Sequence, residues 1–285
     1  MSRCRPHIAV SRAVLALIFG LMAGGPATAT DSGLKRLTLR HDSLGWEAVG
    51  RLDLSGRGFC TGVLIETDLV LTAAHCLIDR RSGARVDPRA LRFRAGLRDG
   101  EAIAERSGIR AVLHPNYAPN DSDGIRQLVS DVALVVLDAP IPAATAAPFT
   151  VGTRVAPGGT VSLVSYARGR DQALSWQRAC SVLGRGQGAL LFTCDADFGS
   201  SGAPVFEISS GRGRIVSLVS RGLREDGKSN VYGPEIAAPL AATRRALREG
   251  RGVWPEAGFA ARRLPAPGFR GLSDDRDTGA HFVKP

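Results

Sequence analysis

Short runs of alternating or continuous apolar residues dominate the chain between residues 48 and 236, and Gly, Pro, Asp or Asn closes each run. An apolar period of two is typical of β-strands that are buried on one face. The pattern predicts strands at 48–54, 59–66, 69–73, 91–97, 108–113, 132–137, 159–166, 175–184, 189–194, 203–208 and 213–220. Many short strands without helices between them indicate an all-β barrel or sandwich.

Two later segments depart from the strand pattern. Ala-Pro and Ile-Pro steps in an Ala-rich stretch at about 139–158 predict a connector, because proline cannot serve a central β-ladder. Pro239, followed by LAATRRALRE and Gly250, predicts one C-terminal helix, with a proline suited to the first turn and a glycine stop. Beyond this helix, residues 251–285 are rich in Gly, Pro and Arg and predict a flexible basic tail.

The N-terminal pattern is that of a targeting segment. Arg3, Arg5 and Arg12 precede an apolar run, Ala13–Met22, and small residues follow at 27–29. This order is typical of a secretory signal peptide, here residues 1–29, and residues 30–45 are then a candidate pro-segment. The run is shorter than the roughly 20 residues that span a bilayer, and no later segment replaces it. We therefore expect a secreted or periplasmic protein without a membrane anchor.

The charge balance is basic but does not indicate a nucleic-acid partner. The chain has 37 Lys and Arg against 27 Asp and Glu, a net charge of +10, which loss of the three signal arginines would lower to +7. The arginines are spread along the chain, and no nucleic-acid-binding motif accompanies them. We expect no specific nucleic-acid binding.

The cysteines fit an oxidising compartment. Of five, Cys4 lies in the predicted signal peptide, so an even number remains. Four cysteines allow three pairings, and proximity in sequence favours Cys60 with Cys76 and Cys180 with Cys194. A zinc site is the alternative, but the sequence contains no C-x-x-C pair to supply its ligands. We expect neither a metal nor a cofactor.

Two residues at strand ends have the chemistry of a general base and its partner. His75 closes LVLTAAHC, and an imidazole can take and return a proton near neutral pH. Asp131 leads the apolar run of SDVALVVLDAPI, where a buried carboxylate needs a partner such as an imidazole N–H. Asp121 and Asp123 are rivals in a polar loop, and Asp138 is a third after the strand. The loop NDSDG lacks the glutamate that a closed calcium site requires.

A third motif supplies a nucleophile. FGSSGAPVF, Phe198–Phe206, sets a serine pair between two glycines, which permits a cramped turn that exposes a hydroxyl and aims successive N–H groups into one space. The N–H groups of Gly199 and Ser201 would stabilise an oxyanion. Each of the three motifs alone is more typical of a structural feature, but together and in this order they indicate nucleophilic catalysis.

TAAHC, DVALVVL and GSSGAP resemble the active-site motifs of the chymotrypsin-fold (trypsin-like) serine peptidases of the bacterial secreted type, and HPNY at His114–Tyr117 is similar to their surroundings. The resemblance covers roughly residues 46–250. It implies two six-stranded antiparallel β-barrels with a C-terminal helix, and His75 as base, Asp131 as its orienting partner and Ser201 as nucleophile. It also implies an oxyanion hole of Gly199 and Ser201, and a substrate-pairing strand that contains Ser220 and Gly222.

The sequence departs from the vertebrate members at the residue before the nucleophile. Ser200 replaces the aspartate that pairs there with a freed N-terminal ammonium, and no Ile/Val-Val-Gly-Gly start occurs near residue 45. We expect activity without that switch. By the resemblance, Asp195 stands at the pocket position that favours Arg or Lys at P1, the residue before the scissile bond; the alternative is that it points elsewhere, since bacterial relatives can carry this aspartate with other preferences. Val219 replaces the histidine of glutamate-preferring relatives.

The sequence therefore predicts a secreted, monomeric serine endopeptidase that acts on polypeptides, with a preference for Arg or Lys at P1. The alternative is a trypsin-fold binding or regulatory module without turnover. Retention of His75, Asp131 and Ser201 together favours the enzyme, since a chain freed from catalysis has no chemical reason to keep all three.

Overall fold

The computed structural model describes residues 33–255, except residues 153, 209–210 and 226–227. This part of the chain forms fourteen β-strands and two α-helices. The predicted signal peptide, and the predicted tail from residue 256 onward, lie outside the described residues.

The first half is a closed antiparallel barrel of six strands in the order β2-β3-β4-β7-β6-β5. The strands are β2 (Val49–Leu54), β3 (Phe59–Glu66), β4 (Leu69–Thr72), β5 (Leu91–Ala95), β6 (Ala104–Leu113) and β7 (Ala133–Leu137). Phe93 fills the interior next to Gly50, where an added Cβ would lie 2.4 Å from the phenyl ring. The glycine is thus required by the close approach of β2 and the ring.

The second half is an eight-stranded antiparallel sheet in the order β12-β11-β8-β9-β10-β14-β13, with β1 paired to β9 outside this path. The strands are β1 (Leu34–Arg36), β8 (Thr160–Ala167), β9 (Arg170–Gly186), β10 (Ala189–Phe192), β11 (Pro204–Glu207), β12 (Arg214–Leu218), β13 (Arg221–Glu225) and β14 (Lys228–Pro234). The 17-residue β9 pairs with three neighbours and is the longest element of this sheet.

The second barrel differs in detail from the predicted six-stranded closed form. β12 and β14 do not form a ladder, but single hydrogen bonds join their ends, from Ile236 N to Val216 O at 3.2 Å and from Ser220 N to Tyr232 O at 2.9 Å. Gly233 lies against Leu218 O, where an added Cβ would be only 1.8 Å away. The sheet therefore curls nearly closed, although β12 and β14 do not pair along their length.

Four aromatic rings connect the two halves of the molecule. Trp46, which precedes β2, lies 5.1 Å from Phe206 of β11 and 5.2 Å from Trp176 of β9, measured between ring centroids. Phe149, from the connector between β7 and β8, lies 4.6 Å from Phe206. Tilted rings at such separations attract each other beyond the area they bury. The cluster fixes the position of one sheet on the other.

The segment predicted as a candidate pro-segment contributes to the described fold. β1 adds an edge strand to β9, and Leu37 is 2% exposed, with its N–H bonded to Leu174 O at 2.8 Å. Removal of residues 30–45 stays a prediction, and it would expose this core leucine.

Each of the eleven predicted strands corresponds to an observed strand, and the chymotrypsin-like all-β class is confirmed. The predicted helix is α2, Ala237–Arg248, with Gly250 at a φ of 70° behind it. The sequence analysis missed β1, β13, β14 and the short helix α1, Gly124–Val129.

Both favoured disulfides are present, Cys60–Cys76 within the first half and Cys180–Cys194 within the second. Within the described residues, neither helix has the length and apolar character that crossing a membrane demands.

Candidate active site

His75 lies in a short 3₁₀ turn, Ala74–Leu77, that follows β4. The two alanines before it, Ala73 and Ala74, are fully buried, so the turn packs closely against the barrel. The next residue, Cys76, is tied to β3 through Cys60. The backbone is thus held on both sides of His75, whose side chain keeps 22% of its surface exposed.

Asp131 faces His75 from the end of α1, and its side chain is only 4% exposed. Its Oδ1 accepts the backbone N–H of His75 at 2.8 Å, and its Oδ2 lies 2.7 Å from His75 Nδ1. An ionised carboxylate can only accept, so Nδ1 carries the proton and Nε2 is left as a base. The pair thus fixes both the orientation and the tautomer of the ring.

A third donor to this carboxylate comes from the other half of the molecule. Ser220, which follows β12, donates its hydroxyl to Asp131 Oδ2 at 2.5 Å. Burial alone would raise the pKa of Asp131, but the nearby His75 ring and the hydrogen bonds from His75 and Ser220 lower it below its ordinary value. The carboxylate is therefore ionised in the folded protein near neutral pH.

Ser201 lies at the mouth of a tight turn between the two halves. Its carbonyl accepts from Thr61 N of β3 at 2.9 Å, and the N–H of the next residue, Gly202, donates to Val219 O at 2.8 Å. Gly202 has a φ of 77°, and an added Cβ would lie 2.3 Å from Thr72 Oγ1, so only glycine fits. Hydrogen bonds from both halves of the molecule thus fix the backbone at the serine.

Ser201 and His75 both line the same two cavities of the cleft, of about 710 and 600 Å³. A hydrogen bond between them is not among those formed by the described residues, whereas the His75–Asp131 bond is. Such contacts are often long in ligand-free enzymes and shorten when substrate binds.

Two backbone N–H groups of the turn that carries Ser201 have no acceptor among the described residues. Ser200 N donates to Asp197 O at 2.9 Å, and Ala203 N donates to Ser200 O at 2.9 Å. No such bond engages the N–H of Gly199 or of Ser201, the two donors that the sequence analysis selected. Alternate amides of this turn are therefore free for an outside acceptor.

The orientation of these free amides is set through their carbonyl partners. The Phe198 carbonyl, in the same peptide unit as Gly199 N, accepts from Arg168 N at 2.7 Å. The Ser200 carbonyl, in the same unit as Ser201 N, accepts from Ala203 N. Because a peptide unit is planar and trans, a hydrogen bond that fixes each oxygen also fixes the direction of the N–H on the opposite side. Gly199 accomplishes this with a φ of 99°.

Behind the turn, Ser200 is fully buried where an aspartate occurs in vertebrate members. Its hydroxyl lies 3.3 Å from Tyr166 O and 3.5 Å from an amino group of Arg170. The same guanidinium donates to Ser165 Oγ at 3.0 Å and to Asp195 O at 3.4 Å. Arg170, a largely internal arginine of β9, thus contacts the side of the turn that faces away from the cleft.

The larger cavity brings together His75, Asp131, Ser201, Ser220 and Gly222. Among the described residues that line it, Asp195 does not appear; Ala196 and Ser229 do. Asp195 N donates to Gln177 Oε1 at 2.6 Å, and the carboxylate of Asp195 raises the pKa of Arg170 against the stronger lowering caused by burial. The predicted pocket carboxylate therefore lies near the supporting arginine rather than on the cavity wall.

The rival carboxylates have local partners. Asp121 binds the Arg126 guanidinium at 2.5 and 2.6 Å, and these hydrogen bonds, with that of Asp123 N, lower its pKa to about 2. Asp123 accepts from Ile125 N and Arg126 N and caps α1. Neither is available to the His75 ring.

Cys60, His75 and Cys76 are close enough to suggest a metal site by distance alone. The two sulfurs are bonded to each other, however, and a disulfide offers no thiolate ligand.

Sequence reasoning missed three supporting residues. Ser220 was predicted only on the substrate strand, and Thr61, whose hydroxyl donates to Gly199 O at 2.9 Å, was missed with Arg170. Each of the three reaches the site through a contact at least 30 residues away along the chain, which no local pattern records.

Comparisons with known proteins agree with this fold. A family model described as a trypsin-like peptidase domain matches residues 60–216. Among solved structures, a Glu endopeptidase in complex with MPD aligns with a TM-score of 0.62 and 18% identity, over 76% of this chain and 97% of that one. A thermostable serine protease from an extremophilic microorganism aligns with a TM-score of 0.58 and 20% identity, over 70% and 97% respectively.

The lowered pKa of Asp131 predicts a pH-dependent stabilisation. A carboxyl group whose pKa is lower in the folded state stabilises the fold at pH values above its pKa in the unfolded chain, 3.8. This stabilisation is lost as the pH falls through the pKa of the folded state. Asp131→Asn should lower the free energy of unfolding by about 3 kcal/mol at pH 7, and the difference between parent and variant should become smaller toward pH 3. Urea unfolding at each pH measures it.

Asp138→Asn, at an exposed position, is the control, and its free energy of unfolding should stay close to the parent's at every pH. A difference in the free energy of unfolding between parent and Asp131→Asn that grows as the pH falls would contradict a lowered pKa of Asp131.

Proposed function

The chain belongs to the family of trypsin-like peptidase domains, and we propose that it is a serine endopeptidase that hydrolyses peptide bonds through an acyl-enzyme on Ser201. The observation that carries the proposal is the buried Asp131 carboxylate bonded to His75 Nδ1 at 2.7 Å, beside two amides with no acceptor among the described residues. This is the arrangement that acyl transfer requires.

In the proposed reaction, His75 Nε2 removes the hydroxyl proton of Ser201 as its oxygen attacks the scissile carbonyl. The resulting oxyanion binds the N–H groups of Gly199 and Ser201, each of which supports a factor of about a hundred in rate. His75 then returns the proton to the leaving amine, and the C–N bond breaks. Water, deprotonated by the same ring, hydrolyses the acyl-enzyme and regenerates Ser201. Asp131 stabilises the imidazolium throughout and keeps its own charge.

The acyl side of the substrate would lie along Ser220–Gly222 in the larger cavity. Gly222 meets nothing within 4 Å of an added Cβ, so the wall is open there. The buried apolar Val219 lines the same cavity and gives no support for a glutamate at P1. Asp195 favours Arg or Lys only by its charge, because it does not line the cavity, and Arg170 competes for that charge, so we propose only a modest preference.

We also propose export to the periplasm or medium. The two disulfides fit an oxidising compartment, as does the predicted signal peptide at 1–29, which lies outside the described residues. Polypeptide substrates and a monomeric state stay predictions.

Activation without a new N-terminus is the last part of the proposal. The environment of Ser200 supports it, because no carboxylate stands there to receive an ammonium and Arg170 already supplies a cation. Ala48, near the cut site of a trypsin-like activation, is fully buried in the barrel.

The nucleophile is tested with a fluorophosphonate probe on the purified protein. The parent should be labelled, and Ser201→Ala should not, because only an activated hydroxyl attacks the probe. Ser107→Ala, on β6 away from the cleft, should be labelled like the parent. An unlabelled parent would support the binding-module alternative instead.

The P1 preference is tested with peptides that differ only at that residue. We expect kcat/KM for Arg and Lys to exceed that for Ala by about fivefold, the equivalent of an ion pair of about 1 kcal/mol. Asp195→Ser should remove this difference while Ala substrates are cleaved as before. The same ratio in both proteins would rule out Asp195 as its source.

The activation hypothesis is tested by varying the N-terminus. Proteins that begin at residue 33 behind different short extensions should have equal kcat/KM, since no buried ammonium is needed. An inactive precursor that gains activity on a single cut before residue 48 would refute the hypothesis.

A further inference from the structure

A second cavity opens on the other side of Ser201 from Ser220–Gly222. It has a volume of about 600 Å³ and is lined by Phe59, the Cys60–Cys76 disulfide, Gly199, Ser201 and His75. The substrate strand lines only the other cavity. If the acyl side follows that strand, as the proposed function holds, the chain after the scissile bond must leave through this second cavity, past the ring that protonates its amine.

This leaving-group cavity has a strong excess of positive charge. Four of its lining residues are arginines, and one is an aspartate. The arginines are Arg57, Arg80, Arg81 and Arg168, and the aspartate is Asp79. Arg57 pairs with Asp79 at 2.6 Å, and Arg168 lies 3.4 Å from Asp197 while its guanidinium stacks over Phe198 at 4.4 Å.

Arg80 and Arg81 remain without an anionic partner. Both are exposed, and neither side chain takes part in a hydrogen bond or ion pair with the described residues. Arg80 also lines the larger cavity, whereas Arg81 lines only the leaving-group cavity. Two unpaired guanidinium groups at the rim of a substrate cleft attract an anion more than any other ligand.

Asp79 fixes the turn that carries these arginines. Its Oδ1 accepts from Arg81 N at 2.8 Å and Ser82 N at 3.1 Å. These backbone hydrogen bonds, first from Ser82 and then from Arg81, together with the Arg57 side chain, lower the pKa of Asp79 to about 2. The turn therefore persists across the working pH range, with the one local carboxylate committed to it.

We propose that this cavity selects polypeptides with a carboxylate side chain, Glu or Asp, at the first or second position after the scissile bond. The inference rests on the proposed function and names a substrate class for the same site. A guanidinium offers a planar pair of donors that matches a carboxylate, so the preference should be for Glu over Gln and for Gln over Lys.

The test uses peptides with one acyl half and Glu, Gln or Lys at the first and second positions after the scissile bond. The parent should cleave the Glu peptide with a kcat/KM about 3- to 10-fold above that of the Gln peptide, the size of two exposed ion pairs. Salt at about 1 M should reduce this ratio, because exposed charges are screened. Equal rates for the three peptides would overturn the proposal.

Variants assign the effect to the two arginines. Arg80→Gln combined with Arg81→Gln should bring the Glu/Gln ratio close to one, while Arg110→Gln, an exposed arginine of β6 outside both cavities, should keep the parent ratio. A thermal unfolding midpoint equal to the parent's shows that the double variant is folded. An unchanged ratio in a folded double variant would contradict the assignment.

An ester of the same acyl half, with no residue after the scissile bond, separates the two proposals. Parent and the single variant Arg81→Gln, which alters only the leaving-group cavity, should hydrolyse it with equal kcat/KM, since that cavity is not used. Hydrolysis of the ester together with equal kcat/KM for the Glu, Gln and Lys peptides would refute the carboxylate preference alone. Absence of both ester hydrolysis and Ser201 labelling would refute the proposed function and this inference with it.

Discussion

One buried carboxylate couples the two halves of this protein. Asp131 accepts two hydrogen bonds from His75 in the first barrel and one from Ser220 in the second sheet. An isolated buried charge costs several kcal/mol, and full pairing is what offsets that cost. The favourable state of Asp131 therefore exists only when the sheets are docked, so that the geometry of the His75 ring and the assembly of the fold depend on the same contact.

The aromatic cluster provides the apolar counterpart of this polar contact. Trp46, Phe149, Trp176 and Phe206 come from four separate segments and pack with centroid distances between 4.6 and 5.9 Å. Stacking of this kind is strong but tolerates small displacements, whereas hydrogen bonds to a carboxylate do not. The rings thus supply attraction between the halves, and the Asp131 contacts set the alignment that the cleft needs.

The sequence predicted those features that local patterns encode. Alternating apolar runs located eleven strands, and adjacency in sequence favoured both disulfides. Helix α1 was missed because NDSDG was read as a loop, although Asp123 is a suitable N-cap for the residues that follow it. Asp195 shows a different limit: spacing from Ser201 fixes its place in the chain, but Gln177 and Arg170 fix its surroundings. Contacts between distant segments could not be predicted from one sequence.

The free amides of Gly199 and Ser201 are the feature that a purely structural role explains least well. Most backbone donors in folded proteins find an acceptor, and a turn relaxes readily to supply one. Here relaxation is blocked, because Arg168 N and Ala203 N hold the opposite ends of the two peptide units, and Thr61 holds the Gly199 carbonyl. Gly199 permits this arrangement, because it adopts a φ of 99° and an added Cβ would lie 2.3 Å from the Phe59 ring.

Donors kept unpaired by so many separate contacts are preorganised for an acceptor that arrives from outside the chain. A binding module would have no use for such a pair next to an ionised Asp131 beside His75. The proposed function gives both a use, because the amides stabilise the negative charge that develops on the substrate oxygen and Asp131 stabilises the imidazolium of His75. Under the proposed function these parts, which come from both halves of the fold, serve one reaction: the amides bind the oxyanion, Asp131 orients His75, and Arg170 supports the turn from within.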